Sequence, residues 1–161
     1  MPLDAVTLVE LIDTHAASLQ LWVRPRCASC EDVVQEAFCR LARQEPPPEN
    51  PVAWLYRVCR NLAERQRISD ERRQEREQSR ARAEIAARDS ADPLEVAETL
   101  AAVEKLDEKL RDVLVARIWG QLPFEEIGKL CGVSTATAFR RYEEALKALR
   151  SRLESKSEHR Q

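Results

Sequence analysis

The 161-residue chain is 43% hydrophobic and 34% charged, long enough for one ordinary domain or two small ones and too short for a large single-core enzyme. Only 3 Gly and 5% aromatic residues leave little for Gly-rich phosphate loops or turn-dense strand folds, so the composition points to helices. A net charge of -2, from 26 Lys and Arg against 28 Asp and Glu, excludes a uniformly basic, histone-like nucleic-acid binder.

At the N-terminus, Met1-Pro2-Leu3-Asp4 has no basic region leading into an apolar run, and nowhere do ~18 apolar residues follow one another. A cytoplasmic location without membrane insertion is expected. Residues Ala5, Leu8, Val9, Ile12, Ala16, Leu19, Trp22 and Val23 recur at helical spacing and predict a first helix from about Asp4 to Val23, ended by Pro25. His15 is expected at its surface or boundary. Ser29 followed by Asp32 reads as a capping box, and Val34, Ala37, Phe38 and Leu41 form the buried side of a second helix whose other side is acidic. The prolines of Gln44 to Asn50 exclude helix and predict a stiff loop.

A third helix starts at Pro51, with Val52, Leu55, Val58, Cys59 and Leu62 on one side. After Ile68 the apolar stripe fades, and residues 69–92 read as either a solvated helical extension or a flexible tether. Periodicity resumes with Leu94, Val96, Leu100, Val103 and Leu106. Asp107 is an N-cap candidate for a helix carrying Leu110, Val113, Leu114 and Ile118. Pro123 suits a helix start, Glu125 and Glu126 complement the helix dipole, Gly132 permits a left-handed turn and Ser134 caps a final helix.

The near-neutral total conceals alternation. From Arg57 to Arg88 ten Arg face six acids (+4), and from Ser134 to Leu153 five bases face two acids (+3). Glu31 to Glu49 carries -3 and Asp89 to Asp112 carries -5. The two basic helical segments are suited to a polyanion.

Phe124 to Tyr142 has the pattern of a helix-turn-helix. Gly128 would let its helices approach, Ile127 and Val133 fill the angle, and Ala138, Tyr142, Ala145 and Leu149 form the buried stripe of the second helix. Thr135, Ala136 and Arg140 would face a major groove, with Ser134, Thr137 and Arg141 placed for phosphates or base edges. Phe139 suits either a thymine methyl or the core. An ordinary helical hairpin with a solvated basic surface is the plainer reading of the same residues.

Three ordered segments carry a family resemblance. Cys30-Glu-Asp-Val-Val-Gln-Glu-Ala-Phe-Cys-Arg-Leu41, Pro51-Val-Ala-Trp-Leu-Tyr-Arg-Val-Cys-Arg-Asn-Leu62 and the stretch from Leu106 to Leu149 resemble bacterial extracytoplasmic-function (ECF) RNA polymerase sigma factors. The resemblance implies an all-α fold of two small helical domains joined by a charged linker: a region 2-like domain over 1–68, a linker over 69–92, a region 4-like helix-turn-helix domain over 93–155 and a polar tail over 156–161. It implies core RNA polymerase, through its clamp helices and flap, and promoter DNA as partners, and an anti-sigma factor as a further one. Glu31, Asp32, Gln35 and Glu36 would meet polymerase. Asn50, Trp54, Arg57, Arg60, Asn61 and Arg65 would serve the minus-ten element, although Trp54 suits the core as well. Ser134, Thr135, Ala136, Thr137, Arg140 and Arg141 would serve the minus-thirty-five element. Glu64-Arg-Gln-Arg67 departs from the family pattern, and Glu144 and Leu146 stand where basic residues are common, implying a weaker phosphate grip.

Function then arises from assembly, with no cofactor, no metal and no catalytic residue. Two other readings remain: a two-domain helix-turn-helix regulator that never engages polymerase, and a thiol enzyme or redox switch using Cys27 and Cys30. The five cysteines, odd in number and without framework spacing, read as free thiols, with Cys30 open to acidification by a helix N-terminus.

Overall fold

The computed structural model describes residues 3–74 and 93–158. The chain divides into two compact units, Met1–Glu84 and Ile85–Gln161, and the described residues form seven α-helices and no strand. The all-α expectation holds.

In the first unit α1 (Ala5–Val23), α2 (Cys30–Arg43) and α3 (Pro51–Gln74) pack on one another. Asp4 caps α1, its carboxylate accepting from the Thr7 amide at 2.9 Å. The expected capping box of α2 does not form. Ser29 sits at φ -98°, ψ 60°, away from the extended geometry that aims a capping hydroxyl at the first turn, and makes no side-chain cap bond. Residues 69–74 continue α3; residues 75–92, the rest of the charged segment, lie outside the described residues.

Burial along α1 also departs from its apolar spacing. Val6, Val9 and Ile12 are 68%, 55% and 37% exposed, while burial begins at His15 and includes Ser18, Leu19, Trp22 and Val23. Length is one reason: after a short turn, the 14 residues of α2 cannot pair with all 19 of α1. His15 therefore belongs to the core and not to the surface, because it shares its face with Ser18, Leu19 and Trp22 at i, i+3, i+4 and i+7.

Trp22 and Tyr56 meet edge to face at 5.2 Å, and the indole Nε1 donates to the Tyr56 carbonyl at 3.2 Å. The Tyr56 hydroxyl donates to Ser18 at 3.2 Å, and Ser18 donates to the His15 carbonyl at 2.9 Å, so these buried polar groups satisfy one another. Leu19, Val34, Ala37, Leu41, Leu55, Cys59 and Ala63 complete the core. Arg26, 3% exposed, stacks its guanidinium 5.0 Å from the Trp22 ring and donates to the Trp22 carbonyl at 2.7 Å. It fastens the end of α1 to α3 through Glu64, 4.0 Å away.

His15 has a measurable consequence. Burial holds its pKa below the ordinary 6.5, and its Nδ1 has no hydrogen-bond partner. The unfolded chain then takes up the proton more readily than the folded one. Stability should therefore fall as pH drops below about 6.5 and level off once the folded imidazole is itself protonated. Thermal melts between about pH 7.5 and 5.5 should show this slope, and His15→Leu should remove it. An unchanged slope in the variant would place the effect elsewhere.

In the second unit α4 (Pro93–Glu104), α5 (Glu108–Ile118) and α6 (Phe124–Cys131) pack with α7 (Thr135–Glu158). Asp107 caps α5, accepting from the Lys109 amide at 3.2 Å. Residues Arg111 to Ala116 are all buried, which makes α5 the central helix, whereas Ile118, expected in the core, is 42% exposed because it stands in the last turn as the chain leaves the bundle. Arg111 is buried with a purpose: its Nη1 donates to the Glu104 carbonyl at the end of α4, at 3.2 Å.

Candidate interaction surfaces

The first surface is the outward side of α2. Val33, Val34, Ala37, Phe38 and Leu41 are buried, and Glu31, Asp32, Gln35 and Glu36 are exposed on the other side. Helical periodicity alone separates the two faces. Glu31 and Asp32 stand in the first turn, where the helix dipole favours negative charge, while Glu36 pairs with Arg40 at 2.7 Å. The net effect is an acidic strip suited to a basic protein surface and unsuited to DNA.

The second surface runs along α3. Asn50, Trp54, Arg57, Asn61 and Arg65 follow at intervals of three or four residues and so share a face. Arg57, Asn61 and Arg65 are exposed, and Trp54 and Arg60 are half-buried. Asn50 has a structural duty besides: its side-chain oxygen accepts from the Ala53 amide at 3.0 Å and caps α3. Trp54 is neither wholly in the core nor wholly outside. The departure at Glu64 has a tertiary explanation, since its carboxylate serves Arg26 from one side and Arg67 at 3.3 Å from the other. Arg67 also lies 3.8 Å from Glu71, so its charge is spent along its own helix.

The third surface is the start of α7. Gly132 takes φ 69°, ψ 35°, the left-handed conformation that ends α6, as its sequence position predicts. Gly128 allows the turn to fold back on α6: a β-carbon there would lie 2.8 Å from the Val133 carbonyl oxygen and 3.3 Å from the Thr135 nitrogen. Ile127, Ala138 and Ala145 are fully buried, and Tyr142 and Leu149 half-buried. Ser134 caps α7 as expected. Its Oγ accepts from the Thr137 amide at 3.1 Å while its hydroxyl donates to the Thr137 Oγ1 at 2.9 Å, so part of the bonding capacity of both is committed to the helix.

Thr135, Ala136 and Arg140 are exposed and Arg141 half-buried; Arg140 reaches Glu144 at 3.9 Å. Phe139 resolves as a mixture, 47% exposed yet edge-on to Phe124 at 5.3 Å. Phe124 also meets Tyr142 at 5.4 Å and the Arg117 guanidinium at 4.8 Å. Arg117 donates to the Leu122 carbonyl at 2.9 Å, tying α5 to the approach of α6. No sequence spacing announces the roles of Arg26 and Arg117, because each depends on a partner brought near by folding.

Among the described residues no group of three His, Cys, Asp or Glu could hold a metal ion, and no helix is long and apolar enough to cross a membrane. Two separate helical units, one with an acidic strip beside a basic helix and one with a tight helix-turn-helix, define a class of multi-domain transcription proteins. Comparison with known proteins narrows it. The sigma-70 region 2 family model matches residues 13–76, and the sigma-70 region 4 family model matches residues 97–149. The chain belongs to the sigma-70 family of RNA polymerase sigma factors.

Two solved structures share its fold. The sigma factor RpoE in complex with the anti-sigma factor NepR from Bartonella quintana is 19% identical, with 91% of this chain and 95% of that chain covered at a TM-score of 0.65. CnrH in complex with the cytosolic domain of CnrY is 20% identical, with 94% of this chain and 90% of that chain covered at a TM-score of 0.57. No curated protein sequence matches. As a sigma factor, the chain directs promoter-specific transcription initiation by binding core RNA polymerase and promoter DNA.

Proposed function

We propose a division of that function among the three surfaces. Glu31, Asp32, Gln35 and Glu36 dock α2 on core polymerase; Asn50, Trp54, Arg57, Arg60, Asn61 and Arg65 contact the minus-ten element; Ser134, Thr135, Ala136, Thr137, Arg140 and Arg141 contact the minus-thirty-five element. The observation that carries this reading is the segregation of charge: an exposed acidic strip on α2 and exposed Arg57 and Arg65 on α3 within one unit, with Arg140 exposed at the start of α7 in the other. Like-charged DNA would be repelled by the first surface and attracted by the other two.

The domains assigned to these roles are 1–68 and 93–155, with 69–92 as the linker. Two modest DNA contacts held by one polymerase reinforce each other through effective concentration. The protein acts by assembly, turns over no substrate in initiation and works in the cytoplasm. An anti-sigma protein is a fitting regulator, since the RpoE neighbour is held in complex with the anti-sigma factor NepR.

The test is in vitro transcription with core polymerase on a promoter library, together with duplex binding by the holoenzyme. Arg140→Ala should weaken upstream-element binding by ~5- to 10-fold and lower the salt slope by about one. Glu144→Gln should act in the opposite direction by releasing Arg140 from a competing carboxylate. Equal binding by all three proteins would remove α7 from the interface.

A further inference from the structure

Two thiols that none of these surfaces uses meet at the joint between α1 and α2. Cys27 lies in the turn after α1, its thiol donating to the Val23 carbonyl at 3.7 Å. Cys30 is the first residue of α2, and its thiol donates to the Cys27 carbonyl at 3.4 Å. Both are half-buried and free, each thiol turned back on a backbone carbonyl at the same joint. A disulfide requires a Cα separation of ~4.4–6.8 Å, and the Cys30 sulfur already lies 3.4 Å from the Cys27 carbonyl oxygen.

The two are chemically unequal. When Cys30 ionises, the one Cys27 proton turns from the Val23 carbonyl to the Cys30 sulfur, and that bond lowers the Cys30 pKa to about 7, with Arg24 adding to the effect. The same bond and burial push Cys27 far up, so it keeps its proton. Cys59, wholly buried, is pushed up to about 12 by desolvation and is a poor nucleophile. One cysteine is thus equipped to attack and its neighbour to resolve.

We propose that Cys27 and Cys30 form a redox-active dithiol that hydroperoxides close to an intramolecular disulfide and that dithiol reductants reopen. The Cys30 thiolate attacks a peroxide oxygen: an S–O bond forms, the O–O bond breaks, and the alkoxide or hydroxide leaves and is protonated. The Cys27 sulfur then attacks the Cys30 sulfenic acid, forming S–S and breaking S–O, and the departing hydroxide takes the Cys27 proton as water. Two electrons pass from the thiols to the peroxide. Thiol–disulfide exchange with a dithiol returns two electrons and two protons.

The bond would also bear on docking, a consequence that rests on the acids of α2 being the polymerase surface. Cys30 immediately precedes Glu31 in the first turn of α2, on the inward side with Val33, Val34 and Ala37, and disulfide formation removes a thiolate charge from beside that strip. Oxidation should weaken core polymerase binding by roughly two- to fivefold, the scale of one surface charge.

The full chain is treated with a slight excess of hydrogen peroxide at pH 7, alkylated with N-ethylmaleimide and examined by peptide mass spectrometry, with core polymerase binding measured in parallel. Expected are a Cys27–Cys30 disulfide, reversal by dithiothreitol, and a sulfenic acid trapped by dimedone at Cys30 in Cys27→Ser. In the reduced chain, Cys30 should alkylate on the order of tenfold faster than a free model thiol such as glutathione, in line with its larger thiolate fraction. A bridge to Cys59, a bridge between chains, or a Cys30 no faster than that model thiol overturns the dithiol. A disulfide that forms without changing polymerase binding overturns its coupling to docking. If the reduced chain fails to bind polymerase at all, the docking reading falls, and the mass measurement still decides the dithiol.

Discussion

Replacing Gly128 with alanine is expected to loosen the helix-turn-helix and abolish upstream-element recognition while leaving the first unit folded. The new β-carbon would stand 2.8 Å from the Val133 carbonyl oxygen, a backbone atom that cannot rotate away. That same residue is fixed from the other direction, because the Val133 amide donates to the Gly128 carbonyl at 2.9 Å. Relief requires α6 and the turn to separate, which opens the packing of Ile127, Ala138 and Ala145. Overpacking of this kind costs about 2–3 kcal/mol, a large share of the stability of a small helical unit. Hydrogen exchange in the full chain should show faster opening of α5, α6 and α7 with α1 to α3 unaffected.

Gly132→Ala is the informative companion. Nothing lies within 4 Å of a β-carbon there, and only the left-handed φ of 69° opposes the substitution. Its cost should be about 1 kcal/mol, the conformational term alone. Equal effects from the two substitutions would show that close approach at Gly128 does not govern the motif.

Reversing charge on α2 should separate binding from folding. Asp32→Arg combined with Glu36→Arg replaces two exposed carboxylates and is expected to lower core polymerase affinity by tenfold to a hundredfold, as like-charge juxtaposition at a complementary interface does. The fold loses little. Asp32 contributes a few tenths of a kcal/mol to the helix dipole, and the solvent-exposed Glu36–Arg40 pair about as much. Melting should therefore shift by only a few degrees while pull-down with core polymerase fails. Native affinity in the double variant would remove this strip from the docking surface.

The contrast between those two experiments reflects two kinds of information in the chain. Local signals were legible in the sequence because their physics spans four residues or fewer. Asp107 and Ser134 cap helices through hydrogen bonds to nearby amides, Gly132 turns left-handed where α6 ends, and the alternation of Val34, Ala37, Phe38 and Leu41 with Glu31, Asp32, Gln35 and Glu36 separates inside from outside along α2. The ordered motifs likewise made the family recognisable before any packing was known.

Tertiary structure decided what periodicity cannot carry: how far each apolar stripe finds something to cover it, and which distant group answers a charge. Val9 and Ile12 obey helical spacing yet remain exposed, and Ile118 does the same at the end of α5 in the second unit. His15 and Arg26 are polar yet buried, the first because it shares a face with Leu19 and Trp22, the second because the Trp22 ring and Glu64 receive it. Cys27 and Cys30 were readable as a thiol pair before a helix start, and folding set their half-burial and the carbonyls that receive them. Helix formation is a local equilibrium, whereas burial and charge pairing are set by elements tens of residues away, and those positions exist only once the chain has folded.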